Sequence, residues 1–172
     1  MIQRLTGEYF EQIYELLEKS FPLNEYRTHE EQKKLFDWEE YRVYGLVNEG
    51  DGRLQAILAA WELEQLTFIE HFAVNPAERS RGIGERVLQE VLKQLSGPVC
   101  LEVELPENRL AERRIEFYAR NGFFLNAYPY LQPPICKGRQ AIPLRIMTRG
   151  RAISEEEFNK IKEELYQKVY GI

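Results

Sequence analysis

Six consecutive residues, Arg79-Ser80-Arg81-Gly82-Ile83-Gly84, combine two guanidinium groups and two glycines where an apolar, strand-like run from Phe68 to Val74 gives way to an amphipathic helix. The chemistry this combination suits is anion binding. The first N–H groups of a helix have no acceptor inside it, and the aligned peptide dipoles place partial positive charge there. Gly82 and Gly84 let a bulky diphosphate approach the main chain, and Arg79 and Arg81 add charge beside it. Spacing excludes two of the three phosphate loops that compete for this pattern. A Walker-type loop requires Lys-Ser/Thr after its last glycine, but Glu85 and Arg86 follow Gly84; a dinucleotide fingerprint requires a third glycine where Val87 stands. What remains is an R/Q-x-x-G-x-G/A loop preceded by Val74-Asn75-Pro76. Taken alone, six residues fit equally well an ordinary strand-to-helix turn with solvated arginines.

A second run, Ile115-Glu116-Phe117-Tyr118-Ala119-Arg120-Asn121-Gly122-Phe123, lies about one strand and one helix further on, and its Asn-Gly ends a helix. Together, in this order and spacing, the two runs resemble the hallmarks of the GNAT N-acetyltransferase superfamily: its coenzyme A loop and the F-Y-x-x-x-G-F run after its fifth strand. The resemblance covers about residues 1–150 in element order and is motif-specific from Phe68 to Phe124. It implies a mixed, mostly antiparallel central sheet with flanking helices, whose fourth and fifth strands splay around the pantetheine arm of acetyl-CoA. The implied activity is transfer of the acetyl group to a primary amine. Carried over by residue, the main chain of Phe72, Ala73 and Val74 pairs with pantetheine and polarises the thioester carbonyl. The amides of Arg79, Ser80, Arg81, Gly82, Ile83 and Gly84 hold the pyrophosphate, and Tyr118 stands near the coenzyme sulfur. One position departs from the pattern: many members carry asparagine seven residues before that tyrosine, where this chain has Ala111, and Asn108 lies three residues off.

Transfer to an amine requires a neutral nucleophile, yet an alkylammonium titrates near 10.4, so a base or water relay must take its proton. Glu70, on the strand leading into the loop, is the first candidate, with partial burial raising its carboxyl from about 4.3; Glu102, on the strand after the loop helix, is the reserve. His71 faces the other way in a regular strand, an assignment that a bulge would reverse. Tyr118, a phenol that is protonated at neutral pH, is the proposed acid for the departing thiolate.

The elements that must position these groups follow from periodicity and punctuation. Ile2 to Leu5 reads as a strand, and Thr6 as the cap of a helix to about Lys19. Asn24 to Trp38 is charged and weakly helical, either an acceptor-side lid or a solvated helix packed through Leu35 and Phe36. Strands are expected at Tyr41–Asn48 and Arg53–Leu63 around the turn Glu49-Gly50-Asp51-Gly52, and at Leu66–Val74. The loop helix follows, then a strand from Val99 to Leu105, a helix from Arg109 to Arg120, and strands at Phe123–Leu131 and Ala141–Thr148. Ser154-Glu155-Glu156-Glu157 opens a last helix, to about residue 170, with an apolar stripe of Phe158, Ile161, Leu165 and Val169. At 172 residues this reads as one α/β domain with a core over about 1–150 and an extra C-terminal helix, whose stripe is covered either by its own domain or by a homodimer partner.

Composition narrows the partners. A net charge of −5 without a basic stripe argues against nucleic acid, and no run nears the roughly 20 apolar residues that span a bilayer. Two distant cysteines and no histidine cluster argue against a zinc site or disulfide framework, and a cytoplasmic protein without a metal is expected. If Glu62, Glu64, Glu102 and Glu104 line an acceptor groove, they favour a cation among amino acids, polyamines, aminoglycosides and protein lysines. The competing function is a noncatalytic acyl-CoA-binding or regulatory domain.

Overall fold

A computed structural model describes all residues from 1 to 172. The strands are β1 (Ile2–Leu5), β2 (Tyr41–Val47), β3 (Leu54–Glu62), β4 (Thr67–Val74), β5 (Val99–Glu104), β6 (Phe123–Gln132) and β7 (Ile142–Arg149). The helices are α1 (Phe10–Ser20), α2 (His29–Lys34), α3 (Ile83–Leu92), α4 (Arg109–Arg120) and α5 (Glu155–Lys168). This is the element order expected from the sequence. The strands form a mixed seven-stranded sheet in the order β1-β2-β3-β4-β5-β7-β6, with β1–β2, β2–β3, β5–β7 and β6–β7 antiparallel. No helix is long and apolar enough to cross a membrane.

Two compact units are distinguished, Met1–Glu62 with Ile69–Ser96, and Leu63–Phe68 with Gly97–Ile172. In the first, Phe10, Ile13, Leu16 and Leu17 of α1 and Val87, Leu88, Val91 and Leu92 of α3 are buried, as their helical spacing dictates. The β2–β3 turn closes through Asn48, whose carbonyl accepts from Gly52 N–H and whose side chain accepts from Gly50 N–H. Gly45 in β2 is required by space: a Cβ there would lie 2.5 Å from Leu5 Cδ1. One local expectation, the Thr6 cap, needs correction, while the weak helicity expected from Asn24 to Trp38 is what the structure has. Thr6 makes no side-chain cap, because Gly7–Tyr9 forms a 3-10 turn before α1 begins. The stretch from Asn24 to Trp38 holds only six α-helical residues, capped by Thr28 and flanked by 3-10 turns at Leu23–Glu25 and Leu35–Asp37.

In the second unit Asn126 ties β6, β7 and the approach to α5 together. Its amide donates to Ile146 O and Thr148 Oγ1, and its carbonyl oxygen accepts from Ile153 N–H. Ser154 and Glu157 form the expected capping box of α5. Phe158 and Leu165 of that helix are buried, Phe158 against the rings of Tyr128 and Tyr130, so much of the C-terminal stripe is covered within its own unit.

Candidate functional site

The loop after β4 is held open by its own turns. Asn75 accepts from Ala77 N–H and donates to Leu54 O, starting a 3-10 turn over Pro76–Glu78. Two residues beyond, Ser80 takes a φ of 71° and Gly82 a φ of 72°, and Ser80 is the only non-glycine residue with positive φ. Left-handed backbone costs an L-residue roughly 1–2 kcal/mol, so this is strain held in place by the surrounding chain. Left-handed residues stand on either side of Arg81, a backbone pattern of the kind that can turn successive N–H groups toward one point. Gly82 is the N-cap of α3 and supplies no capping side chain, so the first N–H groups of the helix face outward. A Cβ at Gly82 would meet nothing within 4 Å, so its φ rather than its space selects glycine. Arg79 and Arg81 are exposed, Arg81 within 3.3 Å of Glu78. The strained Ser80 could not be read from residue types.

In β4, Phe72 and Val74 are half-buried and Ala73 is buried. Glu70 is 2% exposed in its side chain, yet the residue as a whole is only half-buried, so the surface it offers is main chain. Its carboxylate is held by a guanidinium the sequence did not single out: Arg27 donates from NH1 to Oε2 (2.9 Å) and from NH2 to Oε1 (2.7 Å). Arg27 is itself buried, its NH1 also reaching Gln32 Oε1, and Gln32 donates to Tyr41 OH. Burial alone would raise the Glu70 carboxyl, but the charge and hydrogen bonds of Arg27 outweigh it and hold the group below its ordinary range. The Trp61 indole N–H makes no hydrogen bond of ordinary geometry but lies close enough to add to that lowering. A carboxylate so paired is a weaker base than a free one.

His71 is buried beside it. Its Nε2 lies 2.7 Å from Glu25 O, and since a carbonyl only accepts, Nε2 carries the proton. Nδ1 then faces Glu70 Oε2 at 3.5 Å without a hydrogen-bond partner. Burial lowers the imidazole below its ordinary value, against the attraction of Glu70. Both shifts make the fold acid-sensitive. As pH falls through about 6.5 the unfolded chain takes up a proton that folded His71 resists, and as it falls through about 4 the unfolded carboxylate does the same against folded Glu70. The melting temperature should therefore decline in two stages from pH 8 to 3, with His71→Gln removing the first; a single-stage decline unaltered in that variant would refute the assignment.

In the second unit, Tyr118 sits on α4 with its ring edge-on to Phe117 and Phe123, at centroid distances of 5.4 and 5.8 Å. Part of the residue is accessible, but desolvation pushes the phenol well above its ordinary value, Arg114 offsetting little of this. Asn108 is the N-cap of α4, its side-chain oxygen accepting from Ala111 N–H at 2.9 Å, and Ala111 is buried. The carboxylate of Glu102 accepts from Tyr130 OH and, at 2.8 Å to each oxygen, from Tyr170 OH. Of the acidic residues considered for a cationic acceptor, Glu104 pairs with Arg114, Glu62 pairs with Arg42 and accepts from Tyr44, and Glu64 is exposed. No group of three or more His, Cys, Asp or Glu side chains is placed to hold a metal.

Residues 10–123 match the model of the acetyltransferase (GNAT) family. A putative GNAT-family acetyltransferase from Bacteroides thetaiotaomicron is similar at 33% identity and a TM-score of 0.89, covering 100% of this chain and 99% of its own. An aminoglycoside 6'-N-acetyltransferase complexed with coenzyme A shares the fold at 17% identity and TM-score 0.67, over 87% of this chain and 96% of its own. So does Arabidopsis thaliana NAA60 in complex with acetyl-CoA, at 16% identity and TM-score 0.67, over 86% and 96%. A search of curated proteins finds no match.

Proposed function

This chain belongs to the acetyltransferase (GNAT) family, and on that footing we propose that it transfers an acetyl group from acetyl-CoA to a primary amine. The observation that carries the reading is the loop opening α3, where left-handed Ser80 and Gly82 flank Arg81 at an uncapped helix N-terminus. The residues fit a diphosphate there, with amides from Arg79 to Gly84 as donors and Arg79 and Arg81 as charge. The main chain of Phe72, Ala73 and Val74 takes the pantetheine arm and polarises the thioester carbonyl. The amine nitrogen bonds to the acetyl carbon, the carbon–sulfur bond breaks, and the sulfur leaves with the bonding pair, stabilised by the Tyr118 O–H. The nitrogen's proton passes to a base or through water to solvent.

A second reading has one observation in its favour. Both carboxylates suited to take that proton are already engaged, Glu70 by Arg27 and Glu102 by two tyrosines, as in a domain that binds acyl-CoA without transferring it. Release of free coenzyme A thiol from acetyl-CoA, measured against amino acids, polyamines, aminoglycosides and lysine peptides, separates the two. Amine-dependent release supports the transferase and names the acceptor class. Stabilisation against heat by acetyl-CoA, with no release for any amine, supports the binding domain.

A further inference from the structure

The segment between α1 and α2 grips β4 at two adjacent residues from one side. Arg27 takes Glu70 through both carboxylate oxygens, the carbonyl of Glu25 takes His71 Nε2, and the Phe21 ring packs edge-on against the imidazole at 4.9 Å. Adjacent side chains of a regular strand point to opposite faces, with tips far apart. Here Nδ1 of His71 lies 3.5 Å from Oε2 of Glu70, so the two side-chain tips converge on the same segment. Arg27 is in turn fixed from two helices: its carbonyl accepts from Tyr14 OH of α1 at 2.9 Å, and NH1 reaches Gln32 of α2. The side chains are sealed, while the main chain at Glu70 stays accessible, two residues before the run assigned to the pantetheine arm.

We propose that Phe21–Arg27 is a clamp that holds the backbone of β4 in place for acyl-thioester binding, with Arg27 as the positioning residue and Glu70 as its anchor rather than the proton acceptor. This rests on the reading of β4 as the acyl-CoA strand. The role differs from that of a base in what the carboxylate must do. A base must keep its oxygens, whereas an anchor needs only a partner that fits it, and a buried ion pair can often be replaced by apolar side chains of similar size although removing one member is strongly disruptive.

The test is a cycle of Arg27→Met, Glu70→Met and the double variant, with Arg27→Lys as a milder change that keeps the charge but loses the two-pronged geometry. Arg27→Lys and either single Met variant should lose about 100-fold in kcat/KM, as small misplacements of a bound substrate do. The loss should include a raised KM for acetyl-CoA. The double variant should recover to within about tenfold of the parent, with the same pH profile. A folded double variant as inactive as Glu70→Met, or one that loses the acid limb of the profile, would overturn the clamp and return Glu70 to the base. Hydrogen exchange supplies a readout independent of transfer: amides of residues 72–74 should exchange faster in Arg27→Lys and regain protection in the double variant. Unchanged exchange in Arg27→Lys overturns the clamp even if the protein transfers no acetyl group; failure of the parent to bind acetyl-CoA removes the reading of β4 on which the clamp rests, whereas binding without thiol release counts against the transferase reading alone.

Discussion

Gly82→Asp is expected to lower acetyl-CoA affinity by about 100-fold or more while costing the fold no more than about 1 kcal/mol. The two effects separate because they draw on different properties of one position. Gly82 has a φ of 72°, and aspartate is among the residues that tolerate left-handed backbone best. No atom lies within 4 Å of where its Cβ would stand, so the side chain enters without clash. A carboxylate at the N-terminus of α3 also complements the helix dipole. In the proposed site the same carboxylate would face the diphosphate of acetyl-CoA, and two unit charges about 5 Å apart at an effective dielectric near 20 repel by about 3 kcal/mol, roughly two orders of magnitude in Kd. Gly82→Ala supplies the control: left-handed strain of about 1 kcal/mol in stability, with affinity kept within about tenfold. Titration calorimetry alongside thermal denaturation measures both quantities. Unchanged affinity in Gly82→Asp would mean that the pyrophosphate binds elsewhere, and loss of folding would mean that the turn tolerates less than its open surroundings indicate.

The contrast between this loop and the clamp explains what could be read from residue order. The glycine loop, the Ser154–Glu157 capping box and the Asn48–Gly52 turn act over a few residues, so their chemistry is visible in adjacent letters. The element order was legible for the same reason: apolar spacing in α1 and α3 matches the faces they bury. The Arg27–Glu70 pair joins residues 43 apart. In the sequence Arg27 is one cation in a charged, weakly periodic stretch, where solvation is the ordinary fate of an arginine, and nothing local marks it as buried. Glu102 was equally opaque, because Tyr130 and Tyr170 approach it from 28 and 68 residues away. Asn108 was unassigned until the first turn of α4 placed its oxygen on Ala111 N–H. The approach of His71 to Glu70 draws on what the α1–α2 segment offers both side chains, partners that alternation along β4 does not reveal.

Tyr118→Phe is expected to lower kcat by about 100-fold, the scale of losing one hydrogen-bond donor to developing negative charge, with KM for acetyl-CoA nearly unchanged. Phenylalanine keeps the edge-on contacts with Phe117 and Phe123, so the ring and the helix that carries it stay in place. The pH dependence follows from the sign of the phenol's shift. Desolvation raises its pKa further above 10, so Tyr118 stays protonated throughout the range in which acetyl transfer is measured. Removing a group that does not titrate lowers the rate evenly from pH 6 to 9 and takes away no limb of the profile. The same shift refines the proposed chemistry. An ordinary thiol titrates near 8.5, so moving a proton fully from this phenol to a thiolate would run uphill, and in the proposed reaction Tyr118 would serve the leaving sulfur as a hydrogen-bond donor rather than by giving up its proton. A donor matters less when the leaving group carries its charge more easily, so the effect of Tyr118→Phe should shrink with acyl donors whose thiol is more acidic than that of coenzyme A. Steady-state rates across such donors, at several pH values, test both points. Full activity in Tyr118→Phe would remove the residue from the reaction, and loss of one pH limb would show that the phenol titrates in the working range.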